Sequence, residues 1–183
     1  MLESLFTPPY IQSAAVAAGR TGTVLDELLK APTSFHEYGS FEGIGIPLAK
    51  KVLEKGYALD LAPDYFQRTR PQSVVLAEKG ETPAGMIVTE SFEGIAYLNK
   101  YTVVPDFKGN HVGSELWKWF ADHHDKWCLR TRQQNSINSF YRKHAGEPFA
   151  SQGKWNFYCK GLNEVEQQKA IDFMMKKPDD FKY

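Results

Sequence analysis

The chain has 183 residues, of which 42% are hydrophobic and 24% charged. That suits a single globular domain able to bury roughly 70% of its unfolded surface. Lys+Arg and Asp+Glu both number 22, so no excess charge points to nucleic acid or to an anionic membrane.

The run of small apolar residues 13–19 follows Glu3 with no basic residue before it, which argues against a signal peptide. No stretch approaches the ~18 apolar residues needed to span a bilayer. The cysteines, Cys128 and Cys159, lack CxxC or metal-like spacing and read as small core residues of a reducing compartment, with a disulfide as the alternative. The expectation is a cytoplasmic protein. Residues 1–44 read as an amino-terminal helical arm with a helix over 24–30, preceding a domain over 45–183. A second helix is predicted over 47–54, with Leu48, Val52 and Leu53 on one face and a stop at Gly56. Residues 57–61 then read as extended.

From Ser73 the pattern changes to a meander. Strands are predicted over 73–78, 84–90 and 95–104, separated by turns at 79–82 and 92–94 and closed by Pro105. A loop over 106–110 leads into a helix over 112–124, in which Val112, Leu116, Trp119 and Phe120 follow helical spacing. A strand over 126–132, a short helix over 136–143, a strand over 154–162 and a helix over 165–176 complete the chain, with Ile171, Met174 and Met175 as core candidates. The class is α+β.

Two stretches carry chemistry. In the first, a β-branched strand (Val103, Val104) runs through Lys108, Gly109, Asn110 and His111 into a helix starting Val112, Gly113, Ser114. A helix start presents unpaired N–H groups and the positive end of the macrodipole, and glycines keep side chains out of an anion's way. On spacing alone this is equally a glycine turn that merely starts a helix. It is neither a Walker loop nor a GxGxxG fingerprint. In the second, Arg130 and Arg132 alternate on a strand, so both side chains reach one face, where their forks suit carboxylates. A solvated basic edge is the alternative. His36, His123, His124 and His144 show no ligand spacing, and no metal is expected.

The first stretch resembles the acetyl-CoA motif Q/R-x-x-G-x-G/A of GNAT acetyltransferases, with Lys108 at the Q/R position, His111 in place of the middle glycine and Gly113 at the final small residue. The second resembles the acetyltransferase domain of vertebrate-type N-acetylglutamate synthases. That family carries a Tyr-Leu-Asp-Lys strand before the cradle and an Arg-Ser-Arg-x-x-Asn-Pro-x-Asn-x-Trp-Tyr block after it. This chain has Tyr97-Leu98-Asn99-Lys100, and then residues 130–141, where Ser136 stands for the proline and Phe140 for the tryptophan. Residues 154–162 are similar to the family's final Trp-x-x-Phe-Trp-x-Gly-Leu strand.

The resemblance covers roughly residues 45–165. It implies a GNAT fold, a mixed and mostly antiparallel sheet flanked by helices. It also implies acetyl-CoA as co-substrate, held by residues 103, 104 and 108–114. L-glutamate is the implied acceptor, met by Lys100, Arg130, Arg132 and Asn135, with Tyr141 as general acid. Apart from the resemblance, Glu90 is a candidate proton relay, with an ordinary strand carboxylate as the favoured alternative. Acetylation of another amine, or a non-catalytic module bound to an amino-acid kinase, are the rival functions. A kinase partner or a second copy of the chain are the candidate assemblies. The residues before about Leu48 are too few for the amino-acid-kinase domain to which the family's domain is usually fused, so free arginine is not expected to act on this chain alone.

Overall fold

The computed structural model describes residues 22–182, so the 13–19 run lies outside the described residues. Helix α1 (Gly22–Lys30) precedes strand β1 (Thr33–Tyr38), a stretch that the sequence assigns to the arm. Its six residues pair antiparallel with β2 (Ser73–Lys79), making β1 an edge of the sheet. Helices α2 (Phe41–Ile44), α3 (Ile46–Tyr57) and α4 (Tyr65–Arg68) follow.

Pro47 in the first turn starts α3, and Ala49, Val52 and Leu53 form its buried face. The predicted stop at Gly56 is corrected: α3 runs on to Tyr57 and is closed by Ala58 in the left-handed region at φ 55°. Gly56 serves packing instead, since a Cβ there would lie 2.1 Å from the Thr102 hydroxyl. Residues 57–61 form no strand; Leu61 makes a single bridge, to Phe181.

β2, β3 (Thr82–Phe92) and β4 (Ile95–Val103) form the predicted meander. Both connections are two-residue turns with positive φ throughout, Gly80 and Glu81 at 51° and 65°, Glu93 and Gly94 at 48° and 78°. This pattern matches the twist of the flanking strands. A 3₁₀ turn (Pro105–Phe107) leads to α5 (Val112–His123) and then β5 (Trp127–Arg132). Helix α6 (Asn138–Ala145), strands β6 (Ala150–Gln152) and β7 (Trp155–Lys160) and helix α7 (Glu164–Lys176) end the fold.

The sheet has seven strands in the order β1-β2-β3-β4-β5-β7-β6, parallel only between β4 and β5. Its inner strands are covered on both faces. One face carries the main core, to which Ala96, Leu98, Trp127 and Leu129 contribute together with Val52 and Leu53 of α3 and Leu116 and Phe120 of α5. The alternate residues Ile95, Tyr97, Cys128 and Phe157 meet Ala170 and Met174 of α7 on the other. Of the three α7 core candidates, Met174 is fully buried and Ile171 packs against this second cluster. Met175 is 40% exposed, because it falls a helical step off the buried face. Cys128 and Cys159 are free thiols opposite one another in the β5–β7 register. Among the described residues no helix is long and apolar enough to cross a membrane.

Candidate active site

β4 and β5 are in register only at Ala96–Trp127 and Tyr97–Cys128. Beyond that point the parallel strands part. A bulge helps: the β3 register jumps from Val88–Lys100 to Thr89–Leu98, leaving Asn99 as the extra residue on β4. The splay opens a cleft of about 860 Å³, with Leu98–Val103 on one wall and Leu129–Arg132 on the other. A sheet that opens between two adjacent strands exposes backbone groups and side-chain tips at its centre without sacrificing either core.

At one end of the cleft lies the loop before α5. Gly109 has φ 86° and His111 φ 62°, both in the left-handed region, where glycine is free and histidine is tolerated. No described group accepts from the N–H of Gly109, His111, Gly113 or Ser114. The start of a twelve-residue helix thus offers several unpaired donors together with its positive dipole end. Lys108, Gly109, Gly113 and Val103 line the cleft. Gly113 is needed small, because a Cβ there would stand 3.0 Å from the Tyr101 hydroxyl, which donates to the Gly113 carbonyl at 2.6 Å. Of the other residues expected to hold a cofactor, Val104 and Val112 have their side chains in the main core, so only their backbone can face a ligand. Asn110, His111 and Ser114 do not line the cleft; the Ser114 hydroxyl donates to the His111 carbonyl at 2.8 Å and steadies the turn.

At the other end, Lys100, Arg130, Arg132 and Asn135 all line the cleft. The alternation on β5 sends both guanidiniums over the Trp155 ring of β7, at 4.2 and 5.7 Å from its centroid, while Thr131 between them is buried. Asn135 uses its side-chain carbonyl to accept from the Ile137 amide at 3.2 Å. Tyr141 lines the cleft from α6, its ring between those of Tyr101, Trp117 and Tyr158, and no described group bonds its hydroxyl. Burial raises its pKa well above that of a free tyrosine, so the phenol stays protonated. Asn138 fixes the approach of α6: its side-chain amide donates to the carbonyls of Arg132 and Gln133 at 2.8 and 3.0 Å.

Lys100 is only 3% exposed. Burial lowers its pKa, against the pull of nearby Asp180 and Glu90. Glu90, itself buried, accepts from Asn99 and from Lys177, so it is tied into this network rather than free at the surface.

Sequence reasoning passed over the segment after α7. Asp180 pairs with Lys100 and, at 2.8 Å, with Arg68; Asp179 pairs with Arg132 at 3.2 Å and Lys154 at 2.8 Å. Arg130 donates to the carbonyls of Met174 and Pro178. The partners are 80 to 112 residues apart for Asp180, so no local pattern announces them; an acidic pair just past a helix end was the only signal. No group of three His, Cys, Asp or Glu able to hold a metal occurs among the described residues.

Residues 35–177 match the family model "NAT, N-acetyltransferase, of N-acetylglutamate synthase". Mitochondrial N-acetylglutamate synthase of Danio rerio is 30% identical over 84% of this chain and 30% of its own length. Acetylglutamate kinase of Xanthomonas campestris is 26% identical over 70% of this chain and likewise 30% of its own. The chain therefore spans about a third of these curated relatives. Among solved structures, the PaiA N-acetyltransferase of Thermoplasma acidophilum, in complex with coenzyme A, superposes with a TM-score of 0.52 at 17% identity, covering 70% of this chain and 99% of that one. That likeness shows the GNAT fold.

Proposed function

The chain belongs to the NAT N-acetyltransferase family of N-acetylglutamate synthase, and from that premise we propose that it transfers the acetyl group of acetyl-CoA to the α-amino group of L-glutamate. The observation that carries the reading is one cleft joining a helix start with unpaired amides to a wall of three cations, with a protonated phenol between the parted strands.

The cradle fits a pyrophosphate. Gly109, His111, Gly113 and Ser114 have amides to give, Lys108 adds charge, and Gly109 and Gly113 leave the approach clear. Acetyl-CoA supplies an acyl group on a thioester, a carbonyl open to attack. The other work falls to the protein. Lys100, Arg130 and Arg132 bind the acceptor's two carboxylates, and Asn135 adds a hydrogen bond from its side-chain NH₂. A free α-amino group is largely protonated at neutral pH, so the amine gives up a proton to solvent before it attacks. Tyr141 holds a proton at its hydroxyl for the departing sulfur. A reducing compartment, the cytoplasm, suits the free thiols of Cys128 and Cys159. The match to acetylglutamate kinase makes an amino-acid kinase the partner of choice.

Arg130→Ala tests the acceptor wall. The glutamate KM should rise by roughly 10- to 150-fold, the loss of one charge-assisted hydrogen bond, with the acetyl-CoA KM little changed. An unchanged glutamate KM would contradict the assignment.

A further inference from the structure

The three cations expected to meet the acceptor are all engaged by one short segment of the chain itself. Asp180 sits on Lys100, Asp179 on Arg132, and the Pro178 carbonyl on Arg130 at 2.9 Å. Two carboxylates on consecutive residues thus occupy the wall in the way that the two carboxylates of a small dicarboxylic amino acid would. Asp179, Asp180 and Phe181 also line the cleft. We propose that residues 177–181 form an acceptor-mimicking strap, which holds the carboxylate seats until the acceptor displaces it. The inference rests on the acceptor reading above.

The burial of Lys100 explains why such a strap is useful. An ammonium 3% exposed with no counter-ion would be strongly destabilising, and Asp180 supplies that counter-ion. A dicarboxylate entering the cleft exchanges one anion for another, so Lys100 is never left alone. An amine without carboxylates offers no such exchange.

The strap forms no helix or long strand. Beyond its pairs with Lys100, Arg132 and Lys154, it is held by Arg68, which pairs with Asp180 and donates to the Asp179 carbonyl at 3.0 Å, and by one bridge, Leu61 to Phe181. Two backbone bonds flank the bridge, from Ala62 N–H to the Asp180 carbonyl (2.9 Å) and from Lys182 N–H to the Asp60 carbonyl (3.0 Å). The Phe181 ring rests on Tyr57, 4.6 Å between centroids, and Lys177 pairs with Glu90 at 2.5 Å. Lifting residues 179–181 breaks the bridge, both backbone bonds and the Arg68 contacts together, and withdraws the partly buried Phe181 from the main core while its fully buried residues stay in place. A strap closed for most of the time lowers the apparent acceptor affinity by the open fraction and leaves the cofactor end of the cleft untouched.

Hydrogen exchange on the wild-type chain tests this without any mutation. Saturating L-glutamate with coenzyme A should speed exchange at the Ala62 and Lys182 amides, while coenzyme A alone should not. In a second measurement, the Asp179→Asn variant, which leaves the Asp180 counter-ion of Lys100 in place, should show a glutamate KM lower by about 5- to 30-fold at an unchanged acetyl-CoA KM. Calorimetric binding of glutamate to the wild type with both amides still protected would overturn the strap and leave the acceptor reading standing. Failure of glutamate to bind either the wild type or the Asp179→Asn variant would overturn the acceptor reading, and the strap with it.

Discussion

The Tyr141 ring is packed among Tyr101, Trp117 and Tyr158, yet its hydroxyl meets no described partner at the edge of the cleft. Burial keeps it a phenol, which suits a proton donor and not a base. Because a CoA thiolate resembles one from a thiol of pKa ~8.5, protonation should help departure without being indispensable. Tyr141→Phe keeps the packing and removes only the hydroxyl. Steady-state kinetics should show kcat down by about 10- to 1000-fold with both Michaelis constants nearly unmoved, as for an interaction made in the transition state; wild-type kcat would leave Tyr141 a packing residue. Asp180 yields a pH prediction. Burial pushes its carboxyl up, but Lys100 and Arg68 together hold it below its ordinary 3.8. The folded state therefore binds this proton less readily than the unfolded one. The stabilisation is complete above pH 3.8 and is lost as pH falls through the lower folded value. Urea titrations across this range should show an acid limb that is shallower in Asp180→Asn; equal limbs would mean that the pair carries no linkage.

In the proposed function donor binding depends on the loop before α5, whose shape follows from residues that accept positive φ, Gly109 and His111. Gly113→Asp would put a carboxylate beside the unpaired amides, and its Cβ 3.0 Å from the Tyr101 hydroxyl. Like-charge opposition costs several kcal/mol, so calorimetry should show acetyl-CoA affinity lower by at least about 100-fold. Gly113→Ala, which meets the same contact without the charge, separates the two effects. Retained affinity in a folded Asp variant would refute the cradle. This loop, the meander and the helix over 112–123 were legible from residue pattern because β-branched runs, two-residue turns and helical spacing are local signals. β1 was not. Its Thr-Ser-Phe-His-Glu-Tyr has an exposed, polar character and becomes a strand only by pairing with β2. β6, three residues long, is likewise made by β7. Residues 57–61 looked extended from Tyr57, Leu59 and Leu61, but Tyr57 is spent on the end of α3, where its hydroxyl donates to the Tyr101 carbonyl at 3.1 Å.

On the scale of the whole molecule, the parting of β4 and β5 sets two chemistries side by side. Both walls are anchored in both cores, since β4 and β5 each give alternate residues to the face covered by α3 and α5 and to the face covered by α7. Alternation on a strand brought Arg130 and Arg132 into consideration, the family resemblance added Lys100, Asn135 and Tyr141, and the fold gathers all five on one cleft. The counter-ions set against them were illegible, because the tail that carries Asp179 and Asp180 meets its partners only after the chain has closed on itself. The central claim is acetyl transfer to the amine of glutamate. Its most direct test is mass spectrometry of the products when the purified chain meets acetyl-CoA bearing a labelled acetyl group and an equimolar mixture of glutamate, aspartate, glutamine, lysine and a polyamine. The account predicts labelled N-acetylglutamate as the dominant product, formed mole for mole with free coenzyme A. Label on any other amine in preference to glutamate, or no release of coenzyme A at all, would contradict it.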